Sequence, residues 1–323
     1  MGVFGYLFGH DRNKGIAEVL PAIERAISRV EPLLKQASGY PGSYRKSVIT
    51  ALEYARSLAA NVPGPVVVNR ESYANDPFVH ALFPSLDFVL DAFGASHAMQ
   101  GYYREFPDTD EVYALMGMRR REKTMIGMEL SGDVIQRDVP QKVIYFTSHT
   151  IENPASGEKQ ARDQVAWSFF DSLVCKVAKR IEARKQERQA QVQEKDLLMA
   201  RLRAANAGTR PALEEELSTM LTRMQATASS LDLRNYIEDF EAVLLNPEQH
   251  LRLSQTSIIM DSMGIRRNGD DANPGEPVMF SELIGFDRRD WTVTMVYCSN
   301  LQNESFAERL DTAYRKLSLD LHA

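Results

Sequence analysis

The sequence predicts an α+β fold, and three observations carry that prediction. Apolar residues recur at helical spacing through the first hundred positions, the period switches to alternation at about Glu111, and a strand-rich segment returns later in the chain. The return starts with MGMRR at Met116 and MGIRR at Met263. Beyond it, Glu129-Leu130-x-Gly132 is answered by Glu282-Leu283-x-Gly285, Arg137-Asp138 by Arg289-Asp290, and Tyr145 by Tyr297. Each aspartate stands at the same distance from its tyrosine. Such an echo predicts two related antiparallel β-meander-plus-helix units.

Ile16, Leu20, Ile23, Ile27, Val30 and Leu34 predict a first helix over roughly 15–37, with Pro21 and Pro32 expected to bend or shorten it. Val48, Leu52, Ala55 and Leu58 predict a second over 43–61, after the Gly39-Tyr40-Pro41-Gly42 break, and the two are expected to form an antiparallel hairpin that Pro63-Gly64-Pro65 ends. Asp76-Pro77 and Pro84-Ser85 carry helix-start chemistry, so the aromatic segment to Phe106 reads as short helices.

From Glu111, Val112, Ala114, Met116 and Met118 oppose Tyr113 and Leu115, which predicts a strand. Ile126, Met128 and Leu130 alternate on a second, and Ile144, Phe146 and Ser148 oppose Val143, Tyr145 and Thr147 on a third. The expectation is a three-stranded meander, stopped by Asn153-Pro154-Ala155-Ser156, which caps a long helix striped with Val165, Phe169, Leu173, Val177 and Ile181. In the second unit, Leu251, Leu253, Ile259 and Met263 line one strand, 278–284 supply another, and Trp291, Val293, Met295 and Tyr297 a third. The loop NGDDANPGEP separates the first two, and a helix from Asn303 follows the last.

Between the units, charged residues dominate 182–196 and apolar ones thin out. Leu198, Leu202 and Ala205, a turn at 207–211, and a return stripe of Leu213, Leu217, Met220, Met224 and Ala228 predict an inserted antiparallel, coiled-coil-like helical hairpin. A further helix at about 231–245, ended by Asn246-Pro247, leads into the second unit. The chain so divides into an N-terminal helical region (1–110), a first β-meander/helix unit (111–181), a projecting hairpin (182–230) and a second unit (231–323).

Composition bounds the function. The chain has 323 residues, is 44% hydrophobic and 25% charged, and carries a net charge of -6, which argues against coating nucleic acid through an overall positive field. Two cysteines, Cys175 and Cys298, provide neither a disulfide framework nor a thiolate metal site. The six histidines form no HxxxH or HExxH pattern, and no P-loop, GxGxxG or GxSxG occurs, so no metal or cofactor is expected. No run approaches the ~20 apolar residues of a membrane-spanning helix, and a cytoplasmic location is expected. Phe4, Leu7 and Phe8 could give the N-terminus a weak membrane or partner contact.

The sharpest candidates for chemistry are the echoed residues Glu129 with Glu282, Arg137-Asp138, and Arg289-Asp290. A pseudo-twofold arrangement could bring two carboxylates or two arginines to one cleft, for acid–base work, cation binding or phosphate clamping. The competing reading places Arg-Asp in strand connections for structural reasons. Arg119-Arg120-Arg121 with Lys123, and Arg266-Arg267, read as phosphate contacts or as edge protection at a turn. With no catalytic motif, the expected function is a non-enzymatic interaction or assembly protein, binding a protein partner or itself through the helical hairpin. An enzyme or small-ligand sensor with a site at the junction of the units, and a peripheral membrane protein, are the alternatives.

Overall fold

The computed structural model describes residues 12–131, 134–226, 232–261, 264–267, 275–285 and 290–299. Its element order is that of an α+β protein: helices α1 (Arg12–Val30) and α2 (Arg45–Ala60), strand β1 (Val66–Val68), helices α3 (Arg70–Asn75), α4 (Pro77–Leu82), α5 (Leu86–Ala95) and α6 (His97–Glu105), strands β2 (Glu111–Ser131) and β3 (Val134–Ala155), helices α7 (Glu158–Ala204), α8 (Arg210–Ala226) and α9 (Leu233–Leu244), and strands β4 (Arg252–Met260), β5 (Glu276–Ile284) and β6 (Asp290–Ser299). The chain divides into two compact units, one from Met1–Ala55 and Trp167–Leu251, the other from Arg56–Ala166 and Arg252–Ala323.

The second of these holds the sheet, ordered β3-β2-β6-β5-β4, with β1 parallel to β6. Strand β6 is the centre. Its residues 292–296 are buried without interruption, so it lacks the inside–outside alternation of a half-exposed strand. On one face Val112, Ala114, Met116, Met118, Val296, Cys298 and Phe280 form a core with Val79, Leu82, Phe83, Val89 and Phe93 of the short helices. Those helices start where expected. Asp76 accepts N–H bonds from Phe78 (2.8 Å) and Val79 (3.4 Å) with Pro77 in the first turn, and Ser85 accepts from Phe88 (3.1 Å). Along the edge of β6 that β1 joins, the 59–64 turn is tied down: Met295 N–H donates to the Pro63 carbonyl at 2.7 Å, and the Arg162 guanidinium donates to the carbonyls of Ala59 (2.9 Å), Val62 (2.9 Å) and Gly64 (3.1 Å). Pro63-Gly64-Pro65 therefore does more than end a helix; it delivers β1 to β6.

Three expectations about strands are corrected. Where a three-stranded meander was expected over 111–148, there are two long strands, because Arg119–Lys123 continue β2 in ladder with 147–143 of β3 and contain no glycine or proline to turn the chain. Strand β3 runs through Asn153 and Pro154 to Ala155, ahead of the helix those residues were expected to cap. On β4 the inward residues are Ile258 and Met260, while Ile259 is exposed, a one-residue change of parity that exchanges the faces. The helix expected from Asn303 lies outside the described residues.

A short segment closes this sheet. Ile144 N–H donates to the Gly264 carbonyl and Arg266 N–H to the Lys142 carbonyl, both at 2.8 Å, while Arg267 N–H donates to Ile259 at 2.9 Å. Residues 264–267 thus join β3 and β4, the two outer strands. Gly264 is required there: its φ is +76° and a Cβ would stand 2.9 Å from the Ile144 carbonyl oxygen. Asp261 braces the turn by accepting from Ile265 N–H and from both Arg267 Nε and Nη2.

The other unit is helical. Helix α1 keeps Pro21 inside its 19 residues, and Pro32 opens a separate 3-10 turn, Pro32–Gln36, that ends under Tyr44. The Tyr44 hydroxyl donates to Leu34 at 2.9 Å, its ring meets Phe240 edge-on at 5.1 Å, and burial pushes its ionisation up to about 12. Phe169, Leu173, Val177 and Ile181 form the buried stripe of α7 in this unit. Buried carboxylates are matched by cations: Glu31 with Lys185, and Asp239 with Arg184 at 2.6 Å. The hydrogen bond from Lys185 holds the Glu31 carboxyl below its usual range.

Helix α7, 47 residues long, extends beyond this core, and α8 returns along it. Leu198, Met220 and Met224 are buried in the seam, with Val192, Leu213 and Leu217 against them. Arg223 pairs with Glu194 at 2.6 Å and Arg201 with Glu216 at 4.0 Å, which sets the antiparallel direction. This is the inserted hairpin, with Ala228 of its expected stripe outside the described residues.

Candidate functional site

Among the described residues, the echoed positions are not brought to one cleft. Glu129 faces Gln136, and Arg137 faces Met128, at the far end of the β2–β3 pair. Asp138 adopts φ +63° and interrupts the ladder as a bulge between Gly127 and Met128. Arg137 and Asp138 are both exposed. Glu282 lies in the body of the sheet, accepting from Arg120 Nη2 at 2.7 Å and from the Thr256 hydroxyl at 3.4 Å. Nine residues of extended β2 separate Arg120 from Glu129, about 30 Å at ~3.3 Å per residue. Asp290 opens β6 opposite Ile284, exposed, and Arg289 lies outside the described residues. The carboxylate positions that share a place in the motif, Glu129 with Glu282 and Asp138 with Asp290, therefore occupy different parts of the sheet. The MGMRR segment is inside β2, whereas Gly264–Arg267 form the closing segment.

Of the six basic residues at 119–123 and 266–267, five are engaged within the fold. Arg119 lies over the Trp291 ring (4.9 Å) and Lys123 over Tyr145 (5.3 Å), Arg120 pairs with Glu282, Arg266 with Glu122 (3.6 Å), and Arg267 with Asp261 (2.7 Å). These contacts hold Arg119–Lys123 extended. Sequence reading had the residue types right and the turn wrong, since a cation stacked on a strand neighbour leaves no periodic signal.

What the contacts build is an arm. Beyond Met118, the last β2 residue paired with β6, β2 has β3 as its ladder partner among the described residues, and the two run on for about 40 Å to Ser131 and Val134. A lone two-stranded ribbon is marginal in water. This one nonetheless exposes Ile126 (72%), Met128 (65%), Ile135 (64%) and Met125 (46%). Ile126 pairs with Pro140, Met128 with Arg137 and Leu130 with Ile135, so Ile126, Met128 and Ile135 share one face. Sequence alternation marks Ile126 and Met128 as one face of a strand; that no described residue of their own unit covers that face, and that Ile135 joins it, was not readable.

The two edges of the arm differ. Lys142 and Ile144 of β3 give a carbonyl and an N–H to residues 266 and 264. Pro140 has no N–H, and the bulge at Asp138 breaks the line, so the outer edge of β3 is occupied or blocked. Because Ile144 and Lys142 turn their polar groups outward, their partners Glu122 and Thr124 turn theirs away from β3. Alternation carries that orientation to Ile126 and Met128. Among the described residues the edge of β2 is thus the open one, and one of its acceptors, the Met128 carbonyl, receives Gln141 Nε2 at 3.1 Å across Gly127.

A cavity of about 610 Å³ lies at the base of the arm between Leu82, Phe83, Phe88 and Phe146, with Lys123 and Thr147 on its wall. Two of its lining rings hold His149, which stacks on Phe83 (5.1 Å) and meets Phe88 edge-on (5.0 Å). Its Nε2 lies 2.8 Å from the Leu82 carbonyl, which can only accept, so Nε2 carries the proton and Nδ1, buried without a partner among the described residues, is the basic nitrogen. Burial lowers the imidazole's basicity, with the Leu82 bond opposing. The helical hairpin contributes a further exposed pair, Leu197 (62%) and Leu221 (48%).

Among the described residues, no helix is long and apolar enough to cross a membrane, and no group of three or more His, Cys, Asp or Glu is placed to hold a metal ion. Phe4, Leu7 and Phe8 lie outside the described residues. Comparison with protein-family models, curated proteins and solved structures finds no match to this chain.

Proposed function

We propose that the protein is a non-enzymatic interaction or assembly protein of the cytoplasm, and that the β2–β3 arm is its docking element. The observation that supports this is the exposed apolar face of Ile126, Met128 and Ile135 on a ribbon that the described residues of its own unit leave uncovered. Exposed contiguous apolar surface of this kind marks interaction sites. Leu197 and Leu221 offer the α7–α8 hairpin as a second contact. The test is the triple variant Ile126→Ser, Met128→Ser and Ile135→Ser in the full chain. Its melting temperature should stay close to that of the parent, since these side chains are solvent-exposed. Its self-association, or its co-purification of a stoichiometric partner from the native host, should fall at least tenfold. Equal assembly by parent and variant sinks the reading.

The cavity beside Phe83 and Phe88 favours a second reading, a small-ligand sensor. Its volume falls in the range of ligand pockets, and an apolar wall with one cation suits an aromatic or aliphatic carboxylate. Such a ligand would raise the melting temperature in proportion to its concentration over its Kd. Phe88→Trp, which fills the cavity, should remove that rise; an identical rise in the variant excludes this site.

A further inference from the structure

We infer that the open edge of β2 pairs with the same edge of a second copy of this chain, antiparallel and centred on Ile126. The inference rests on the proposed interaction role of the arm and names its partner.

The edge is available and chemically suited. Glu122, Thr124, Ile126 and Met128 direct their N–H and C=O groups away from β3, as the pairing of Ile144 and Lys142 with residues 264 and 266 requires. The opposite edge of the arm is closed by that same segment, by Pro140 and by the Asp138 bulge. An incoming strand therefore has one place to add.

The sequence at that edge is self-complementary. Lys123-Thr124-Met125-Ile126-Gly127-Met128-Glu129 places one cation and one anion three residues either side of Ile126. An antiparallel twofold axis at Ile126 sets Lys123 opposite the partner's Glu129, Thr124 opposite Met128, Met125 opposite Gly127, and Ile126 opposite itself. Both copies of the charge pair are then satisfied, and the segment between them carries no charge. Moving the axis to Gly127 sets Glu129 against Met125 and Lys123 against Ser131, which loses both pairs. Outward polar groups at Ile126 make it a hydrogen-bonded pair, each copy donating one N–H and accepting one. The Met128 carbonyl, already approached by Gln141, keeps a second lone pair for the partner's Thr124 N–H. Pairing joins the two arms into a four-stranded sheet and places both apolar faces on one side, doubling the surface offered to a further partner.

The test is sedimentation equilibrium of the full chain with charge-swapped variants. The parent should dimerise. Lys123→Glu alone, and Glu129→Lys alone, each set two like-charge pairs across the axis and should weaken the dimer about tenfold or more. The double variant Lys123→Glu with Glu129→Lys should restore affinity to within about threefold, and its restoration shows that neither single change acted by unfolding the arm. Ile126→Cys, on a Cys175→Ser background, should form an intermolecular disulfide under mild oxidation, since hydrogen-bonded antiparallel partners stand about 5.5 Å apart at Cα, within disulfide reach. A parent that stays monomeric overturns the inference, as does a dimer indifferent to both single swaps. A monomeric parent whose heterologous partner is still lost from the Ile126, Met128 and Ile135 triple variant overturns the self-pairing alone and leaves the interaction role standing. Unchanged partner retention by that triple variant removes both.

Discussion

His149 illustrates how a single side chain acquires a property that its residue type does not announce. As a sequence position it reads as a strand-end histidine, partly exposed. In the structure two phenyl rings flank it, Nε2–H is committed to the Leu82 carbonyl, and Nδ1 is buried without a partner among the described residues. Protonating Nδ1 would bury a charge, so the folded imidazole titrates below its ordinary 6.5. The sign follows: the unfolded chain takes up a proton first as pH falls, so stability is full above about 6.5 and declines between that value and the lowered folded one. Chemical denaturation between pH 8 and 5 should show this decline, and His149→Phe should lack its share of it while losing about 1 kcal/mol at pH 8 from the missing hydrogen bond. The comparison isolates His149 from His250, whose imidazole burial also holds down. Parallel pH profiles for parent and variant contradict the assignment. At the same scale, Glu282 was named as a candidate from its echo of Glu129, but its partner proved to be Arg120. The spacing of a motif says nothing of which cation the sheet brings across.

Elements differ in how much of their own support they carry. The helices α4 and α5 start on Asp76 and Ser85 because a cap is a local bargain between a side chain and amides two or three residues on, and such bargains are visible in sequence. The α7–α8 hairpin was legible for a similar reason, a sparse apolar stripe on either side of a turn. Its thin seam makes a prediction. Leu198→Ala removes one of the three buried seam residues and should cost about 2–5 kcal/mol in the local stability of the hairpin. Limited proteolysis should then cut at the 205–209 connection and along α8 at least tenfold faster; an unchanged cutting rate means the seam does not hold α8 down. The arm was legible only in part. Alternation at Ile126, Met128 and Leu130 identified a strand, yet Arg119–Lys123 looked like the turn before it. Contacts with Trp291, Glu282 and Tyr145, made across strands, keep those residues extended.

Across the whole molecule, protection from solvent should follow the burial of each strand, not its regularity. Strand β6 is covered on both faces and Met295 donates to Pro63, so its amides should exchange slowest of the described sheet. The amides of Thr124, Ile126 and Met128 should exchange fast in dilute protein and slow as concentration rises, if the arms pair. Hydrogen exchange read residue by residue checks both; slow exchange at Ile126 independent of concentration would mean that the edge of β2 is covered from within the chain. By itself the sequence determined the α+β class, the approximate positions of most of the described helices and strands, and the helical hairpin, because periodicity, caps and turn residues act over a few positions and leave their mark on them. Only the tertiary structure decided that β2 runs unbroken from the core into an arm, that residues 264–267 close the outer strands, and that Ile126, Met128 and Ile135 lie bare. Those outcomes depend on pairings between residues far apart in the chain, and a pattern read along one strand cannot report which edge remains open once the others are paired.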